Sequence, residues 1–248
     1  SDGGATYGQV AKLTASDAVV GEFGRSVAID GTTIVVGTSN GQATYVFRTS
    51  DGGATYAQVA KLDGVGGPVA IDGDTIVVGD DVFRTSDGGA TYDQVAKLTA
   101  ADAAANDYFG TSVAVDGDTV VIGAYGAGTG GAVYVFHTSD GGATYGQVAK
   151  LTASDAAVGE FGSSVAIFGA TVVVSAPWDD ASHSYSGEAY VFHTTDGGAT
   201  YVELAKLAAT DAAANNWFGW SVAIDGDTIV VGAYNDGNAG GMYPNGPG

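Results

Sequence analysis

The chain contains no cysteine and only eight basic residues. Without thiols there is neither a disulfide framework nor a thiolate metal site. Eight Lys and Arg against 28 Asp and Glu leave a formal net charge of −20. Nucleic-acid binding needs clustered positive charge to meet phosphates, so no nucleic-acid partner is expected. No apolar run approaches the ~20 residues of a membrane helix, and no membrane insertion is expected. The chain does not begin with Met and carries no signal-peptide pattern, which reads as a processed or excised segment. What the chain does have is glycine, 41 of 248 residues, and 45% hydrophobic residues, with Val, Ile and Tyr in short runs. That content is enough to bury a core and argues against disorder.

The segment DGGATY occurs five times, starting at Asp2, Asp51, Asp87, Asp140 and Asp196. Each copy leads into QVAKL or ELAKL. A small acidic stretch, Phe-Gly, a run such as SVAIDGDTIVVGA, a Gly-rich loop and a run such as AVYVF complete the unit. Periods in this range signal solenoids, propellers or arrays. In the third copy, Phe109–Val115, Asp118–Ala124, Ala132–His137 and Tyr145–Leu151 read as four short strands. Asp116-Gly117 supplies the tight hairpin turn between the first two. No amphipathic helix is legible.

Four strands per unit predict an all-β fold, a β-propeller of five four-stranded blades. The blades fall at about 14–62, 63–98, 99–151, 152–207, and 208–248 completed by 1–13. In this reading the N-terminal strand Tyr7–Leu13 closes the ring by pairing into the last blade, where Gly241-Met242-Tyr243 aligns with the third strand. A fragment of a larger ring, or an open array, is the alternative. The second blade is degenerate: Asp63–Pro68 replaces its acidic loop and its Phe-Gly.

The Phe-Gly pairs at 23–24, 109–110, 161–162 and 218–219, with Gly123-Ala124, Ala176-Pro177 and Gly232-Ala233 after the second strand, resemble the FG-GAP repeat of integrin-α-type propellers. The likeness implies a propeller fold and an extracellular or cell-surface adhesion role. That family often holds calcium in a long DxDxDG-type loop between the first two strands, since calcium needs many oxygen ligands. Here the loop is a two-residue turn, at Asp72-Gly73, Asp116-Gly117 and Asp225-Gly226. One following Asp (Asp74, Asp118, Asp227) is too little to cage the ion. No cofactor or metal is therefore assigned, and weak calcium binding is left without a supporting loop. The run Thr49–Tyr56, repeated from Thr85, Thr138 and Thr194, resembles the Asp-box turn of propeller blades. Asp-boxes also occur in sialidases, whose sites use three arginines. Here Arg48 and Arg84 share one repeat position with His137 and His193, so they read as a repeated surface role beside Arg25.

Lys12, Lys61, Lys97, Lys150 and Lys206 suit an outer edge strand, where lysine discourages sheet pairing. Asp17, Asp102, Asp155 and Asp211 read as turn caps or as weak cation ligands. An insertion in the fourth blade, Pro177–Gly187, holds Trp178, Asp179, Asp180, His183 and Tyr185. Trp217 and Trp220 flank the last Phe-Gly, and Asn235 and Asp236 follow the last blade's second strand. These nine residues form the candidate ligand-binding face, because exposed aromatics stack on sugars and anchor protein contacts. No catalytic residue is assigned, since the carboxylates recur at repeated turn positions. The leading expectation is a non-catalytic binding or adhesion module with a protein or glycan ligand on this face. The alternatives are a lectin-like propeller and an architectural subunit that assembles with its neighbours.

Overall fold

A computed structural model describes residues 8–17, 22–39, 42–155, 159–179 and 183–235. The described chain is all β, in five antiparallel sheets. The first sheet is β1 (Ser26–Asp30), β2 (Thr33–Gly37), β3 (Ala43–Arg48) and β4 (Ala57–Asp63). The second is β5 (Val69–Asp72), β6 (Thr75–Val78), β7 (Asp81–Arg84) and β8 (Asp93–Lys97). The third is β9 (Ser112–Asp116), β10 (Thr119–Ala124), β11 (Ala132–His137) and β12 (Gly146–Leu151). The fourth is β13 (Val165–Phe168), β14 (Thr171–Ala176), β15 (Glu188–His193) and β16 (Val202–Leu207). The fifth holds β17 (Phe218–Asp225) and β18 (Thr228–Ala233). Each four-stranded sheet is a meander in chain order, so the repeat unit legible in the sequence is one propeller-like sheet.

The second and third strands read as near-continuous apolar runs because both of their faces are covered. In β2, Val35 faces the second sheet and packs with Val69, Ile76 and Val78. Val77 of the second sheet meets Val120 and Ile122 of the third. Val121 of the third meets Val172 and Val174 of the fourth. The innermost strands follow one another in the same sense, β1 on β5, β5 on β9, β9 on β13 and β13 on β17. Among the described residues β17 and β1 make no comparable contact. Val27 and Ile29 of β1 are each 65% exposed and Val230 of β18 is 62% exposed, whereas Val69 and Val165, in the register of Val27, are 7% exposed.

Polar links reinforce the seams. The Asp30 carboxylate accepts from the Gly73 N–H at 2.9 Å, and Asp72 accepts from Gly117 at 2.8 Å. Asp116 accepts from Gly169 in the same way. The aspartate of each hairpin therefore serves the turn of the following sheet, and the short turn offers no calcium cage. In the fourth sheet Phe168 holds that position, so the seam to the fifth sheet lacks this link. The DGGATY turns are closed by their own aspartates. Asp140 accepts from the Thr144 N–H at 2.9 Å and from the Thr144 and Thr138 hydroxyls. Hydrogen bonds from the neighbouring threonines hold Asp51, Asp87 and Asp140 far below the usual carboxylate range and Asp196 down to about 2.

The Phe-Gly pairs precede the first strand in the first, third and fourth sheets and lie within β17 in the fifth. In the first, third and fourth sheets the phenylalanine wedges edge-on against the Tyr and the Phe of the third strand. Phe161 lies 5.4 Å from Tyr190 and 5.9 Å from Phe192, and Phe109 and Phe23 repeat the arrangement. The glycine takes a left-handed φ, +97° at Gly162, and its N–H reaches the second strand at Ser175 O, 2.9 Å away. Outer strands carry one extra residue, Val59, Val95, Val148 or Leu204, where the register shifts. A bulge there twists the exposed edge away from other strands, which adds to the edge protection expected of lysine.

Residues 8–15 form no strand, in contrast to the expected closing ribbon, but Leu13 and Ala15 pack on Tyr45 and Phe47 of the first sheet. Leu98 and Leu151 pack in the same way on Tyr134 and Tyr190 of the sheets that follow them. Leu13 thus sits where the outer strand of a preceding sheet would place it. Tyr7 and Gly241–Tyr243 lie outside the described residues.

The wedge glycine yields a direct test. A Cβ at Gly162 would meet the Ala132 carbonyl oxygen at 2.7 Å and sit at a φ that side chains avoid, while one at Gly169 would meet open space. Gly162→Ala is expected to cost about 3 kcal/mol or more in urea unfolding, against about 1 kcal/mol for Gly169→Ala.

Candidate functional site

Three positions recur at one end of the sheets: the residue before Phe-Gly, the residue after it, and the residue that follows the second strand. In the third sheet the first and last of these are Tyr108 and Tyr125, stacked at 4.8 Å and 8°. In the fifth they are Trp217 and Tyr234, stacked at 5.4 Å. In the fourth they are Glu160 and Pro177, and the next residue, Trp178, donates its backbone N–H to Gly159 O at 3.3 Å. Each loop is set by a residue held in the left-handed region. Among the described residues, the non-glycine residues with positive φ are Asn106, Tyr108, Glu160, Tyr185, Asn215 and Trp217. All six belong to these loops. Such conformations cost about 1 kcal/mol or more each and persist where surrounding structure dictates them.

The insertion of the fourth sheet is bonded to the loop entering the fifth. Asn215, Trp217 and Phe218 donate their N–H groups to the carbonyls of Ser184, Tyr185 and Ser186 at 2.9–3.1 Å. This short backbone ladder brings Trp178, Tyr185, Trp217 and Trp220 together, as the sequence reading grouped them. Trp178 lies 5.6 Å from Tyr185 and 5.0 Å from Trp217. Trp220 lies 5.8 Å from Trp217 and 4.7 Å from Tyr234. Trp220 and Tyr234 are 46% and 53% exposed, so the cluster presents ring faces to solvent. The Trp217 indole N–H is buried and finds no acceptor among the described residues.

Beside this cluster lies a cavity of about 350 Å³ lined by Arg25, Thr111, Tyr125, Glu160, Ser163, Pro177, Trp178 and Trp220. Arg25, Thr111, Ser163 and Trp220 are the residues after Phe-Gly in the first, third, fourth and fifth sheets, so four sheets converge on one mouth. Burial raises the Glu160 carboxyl above its usual range. Arg25 pairs with Glu22 at 3.1 Å.

The remaining candidates take other places. Asp179 is buried, and its carboxylate accepts from the Tyr190 hydroxyl at 3.1 Å, so it anchors the insertion from below. His183 is exposed and its carbonyl accepts from the Ser186 N–H, closing a turn. Asn235 braces the entering loop, donating from Nδ2 to Asn215 O at 3.0 Å and from its backbone to Asn216 O. Asp180 and Asp236 lie outside the described residues.

Asp155, Asp179 and Glu188 bring carboxylate oxygens within 4.8 Å of one another. The Tyr190 hydroxyl reaches all three at 3.1 Å, and Lys206 pairs with Asp155 and Glu188. Lys206 also stands 5.5 Å over the Tyr190 ring. Burial and the three carboxylates drive the Tyr190 hydroxyl far upward, so it stays a donor. Burial raises the Glu188 carboxyl despite Lys206, while Lys206 and Tyr190 outweigh burial at Asp155 and lower it. The positive charge that these acids require is supplied by Lys206, and a cation would have to displace it.

The same Asp, Tyr and Lys recur elsewhere. Asp17, Tyr45 and Lys61 join at 2.7–2.8 Å in the first sheet, and Lys150 reaches Asp102 at 2.6 Å beside Tyr134 in the third. In the second, Asp81 replaces the tyrosine and pairs with Lys97 directly at 3.3 Å. Asp17, Asp102 and Asp155 are thus neither turn caps alone nor open cation ligands. They are partners of a strand tyrosine and an outer-strand lysine. Sequence reasoning missed this unit because its three members are separated by up to 51 residues. It also missed Tyr125 and Tyr234, whose signal was an aromatic at one fixed repeat position.

Tyr190 is the most heavily used of these hydroxyls. Tyr190→Phe should therefore cost about 2–3 kcal/mol in urea unfolding, because two buried carboxylates lose a donor, while Tyr45→Phe should cost about 1 kcal/mol.

A model of the FG-GAP repeat matches residues 7–59, 92–136, 145–192 and 201–244. No curated protein matches the chain. The matched stretches span most of the chain and hold every Phe-Gly wedge described above. The chain is a member of the FG-GAP repeat family.

Proposed function

We propose that this chain is a non-catalytic binding module of extracellular or cell-surface adhesion type, whose ligand docks on the aromatic mouth. The observation that carries the reading is the joined cluster of Trp178, Tyr185, Trp217, Trp220 and Tyr234 at 4.7–5.8 Å, with three of its rings about half exposed. Large rigid aromatics contribute contact area with little conformational entropy to lose, the usual composition of binding hot spots. The loops beneath them are tied by backbone bonds, so the surface is pre-organised. A carboxylate pair for acid–base chemistry needs two groups in contrasting environments around a reacting atom. The buried acids Asp179 and Glu188 are instead joined to Tyr190 and Lys206.

A glycan is the second reading. It is favoured by one observation: the exposed Trp220 ring borders a cavity that also offers Glu160, Ser163 and Thr111. Stacking faces beside hydroxyl and carboxylate groups suit a pyranose, with an apolar face and hydroxyl edges.

The reading includes a ring of five sheets closed by the N-terminal segment. Its support is the convergence of Arg25 and Trp220 on one cavity and the position of Leu13 on the first sheet. Closure would press the Val230 face of the fifth sheet on the Val27 and Ile29 face of the first, as every other seam does.

Two measurements follow. Trp220→Ala combined with Tyr234→Ala should leave the unfolding midpoint within a few degrees and abolish binding on a glycan array or to a cell-surface extract. Retained binding would place the ligand elsewhere. Ile29→Glu should cost about 2–4 kcal/mol if the ring closes, because a charge is then buried without a partner. A change within about 0.5 kcal/mol would mean the face stays open.

A further inference from the structure

Arg48 and Arg84 stand at the ends of β3 and β7, and each reaches across a seam. Arg48 donates from Nη1 to the Gly88 carbonyl in the DGGATY turn of the second sheet, and from Nη2 to the Thr32 hydroxyl at 3.3 Å. Arg84 donates from Nη1 to the Gly141 carbonyl of the third sheet. The fit is close, since a Cβ at Gly89 or Gly142 would collide with the guanidinium. Neither arginine forms an ion pair among the described residues, whose arginine pairing is confined to Arg25 and Glu22. The acceptors that seat the group are carbonyl and hydroxyl oxygens over a glycine floor, while the buried Arg48 Nε meets no acceptor among the described residues.

At the third seam the arginine is replaced. His137 ends β11 and turns to its own sheet, with Nδ1 3.4 Å from the Thr119 hydroxyl. The space that the arginines fill at the other two seams is here a cavity of about 370 Å³. Its lining is Thr119 from the third sheet and Gly169, Ala170, Thr194, Thr195, Gly197, Gly198 and Tyr201 from the fourth. These are the register partners of the groups around Arg48. Gly197 carries the carbonyl equivalent to Gly88 and Gly141. A Cβ at Gly198 would meet only the Tyr201 hydroxyl, at 3.4 Å. Thr195 and Gly197 are exposed, so the slot opens to solvent. In the register of Thr32, the acceptor from Arg48 Nη2, the third sheet carries Asp118.

We propose that this slot is a binding site for a guanidinium group supplied from outside the sheet stack. The two neighbouring seams are its template. Both seat a guanidinium on the same turn carbonyl, and the third keeps the turn, the floor and the entrance while the chain's own arginine is gone. The planar fork of guanidinium suits such carbonyl acceptors better than a compact ammonium does. The net charge of −20 draws cations toward the surface.

The test is an amide-resolved NMR titration of the full chain with methylguanidinium, against methylammonium at equal ionic strength. Methylguanidinium should shift Thr119 and Thr194–Gly198 saturably, and methylammonium should not. His137→Arg places the side chain back in the slot. It should raise the thermal midpoint by roughly 2–4 °C and weaken the methylguanidinium response by about tenfold or more. Arg84→His is the reciprocal variant. It should lower the midpoint and create a second saturable site at Thr138–Gly142, so it decides the matter even if His137→Arg misfolds. A capped Gly-Arg-Gly peptide that binds like methylguanidinium assigns the slot to an arginine side chain of a partner protein. Exclusion of the peptide with methylguanidinium still bound assigns it to a small diffusible guanidine. Equal shifts from methylguanidinium and methylammonium, an undiminished response in a folded His137→Arg protein, or no new site in Arg84→His would overturn the proposal.

Discussion

Every sheet in this protein is apolar on both faces, and that constraint governs the rest. Val35 and Ile34 alternate along β2 toward opposite neighbours, as do Val121 and Ile122 along β10. One sheet alone would expose the valines and isoleucines of both faces to water, at roughly 25 cal/mol per Å². Neighbouring sheets are therefore a condition of folding, as in other repeat architectures. The phenylalanine wedge, the hairpin aspartate and the seam arginines all act at or beside these contacts. They fix the angle and register of surfaces that the hydrophobic effect would only hold together.

The loops inherit their rigidity from this stack. In the third, fourth and fifth sheets the residue before Phe-Gly, Tyr108, Glu160 or Trp217, is held in a left-handed conformation, and in the third and fourth the glycine after the wedge is bonded to the second strand. The residue after the second strand is pinned by the strand itself. Two anchored positions per sheet thus stand face to face at one end, and their side chains can vary without disturbing the core. In the third sheet they are two tyrosines. In the fourth they are glutamate and proline, and in the fifth tryptophan and tyrosine. An aromatic mouth results from varying positions that the fold does not consume.

The repeat unit, its four strands and the tight hairpin turn at Asp116-Gly117 were legible because alternation, β-branched runs and Asp-Gly are local signals. The grouping of Trp178, Tyr185, Trp217 and Trp220 was legible because repeat register places loops on a common end. What escaped was long-range pairing. Asp179 looked like a displayed acid because it sits between a tryptophan and another aspartate, yet it turns inward to Tyr190. The lysines looked like edge guards, and their second role depends on an aspartate about 50 residues away. Arg48 and His137 looked equivalent because they share a position. Only the neighbouring turn reveals that one side chain crosses a seam and the other does not.

The lysines have a consequence for the exterior. Lys61, Lys97, Lys150 and Lys206 are each folded against carboxylates of their own sheet. In the first, third and fourth sheets the peptide bond after the lysine lies within or at the end of a ladder-bonded outer strand and precedes a leucine buried or half-buried at the seam. Lys12, exposed in a segment that forms no strand, stays open to a lysine-specific protease, but cleavage after Lys61, Lys150 and Lys206 has to wait for an outer ribbon to peel away. Digestion rate then becomes a gauge of how often single ribbons detach, which makes resistance to lysine-directed enzymes a property of the stacked architecture itself.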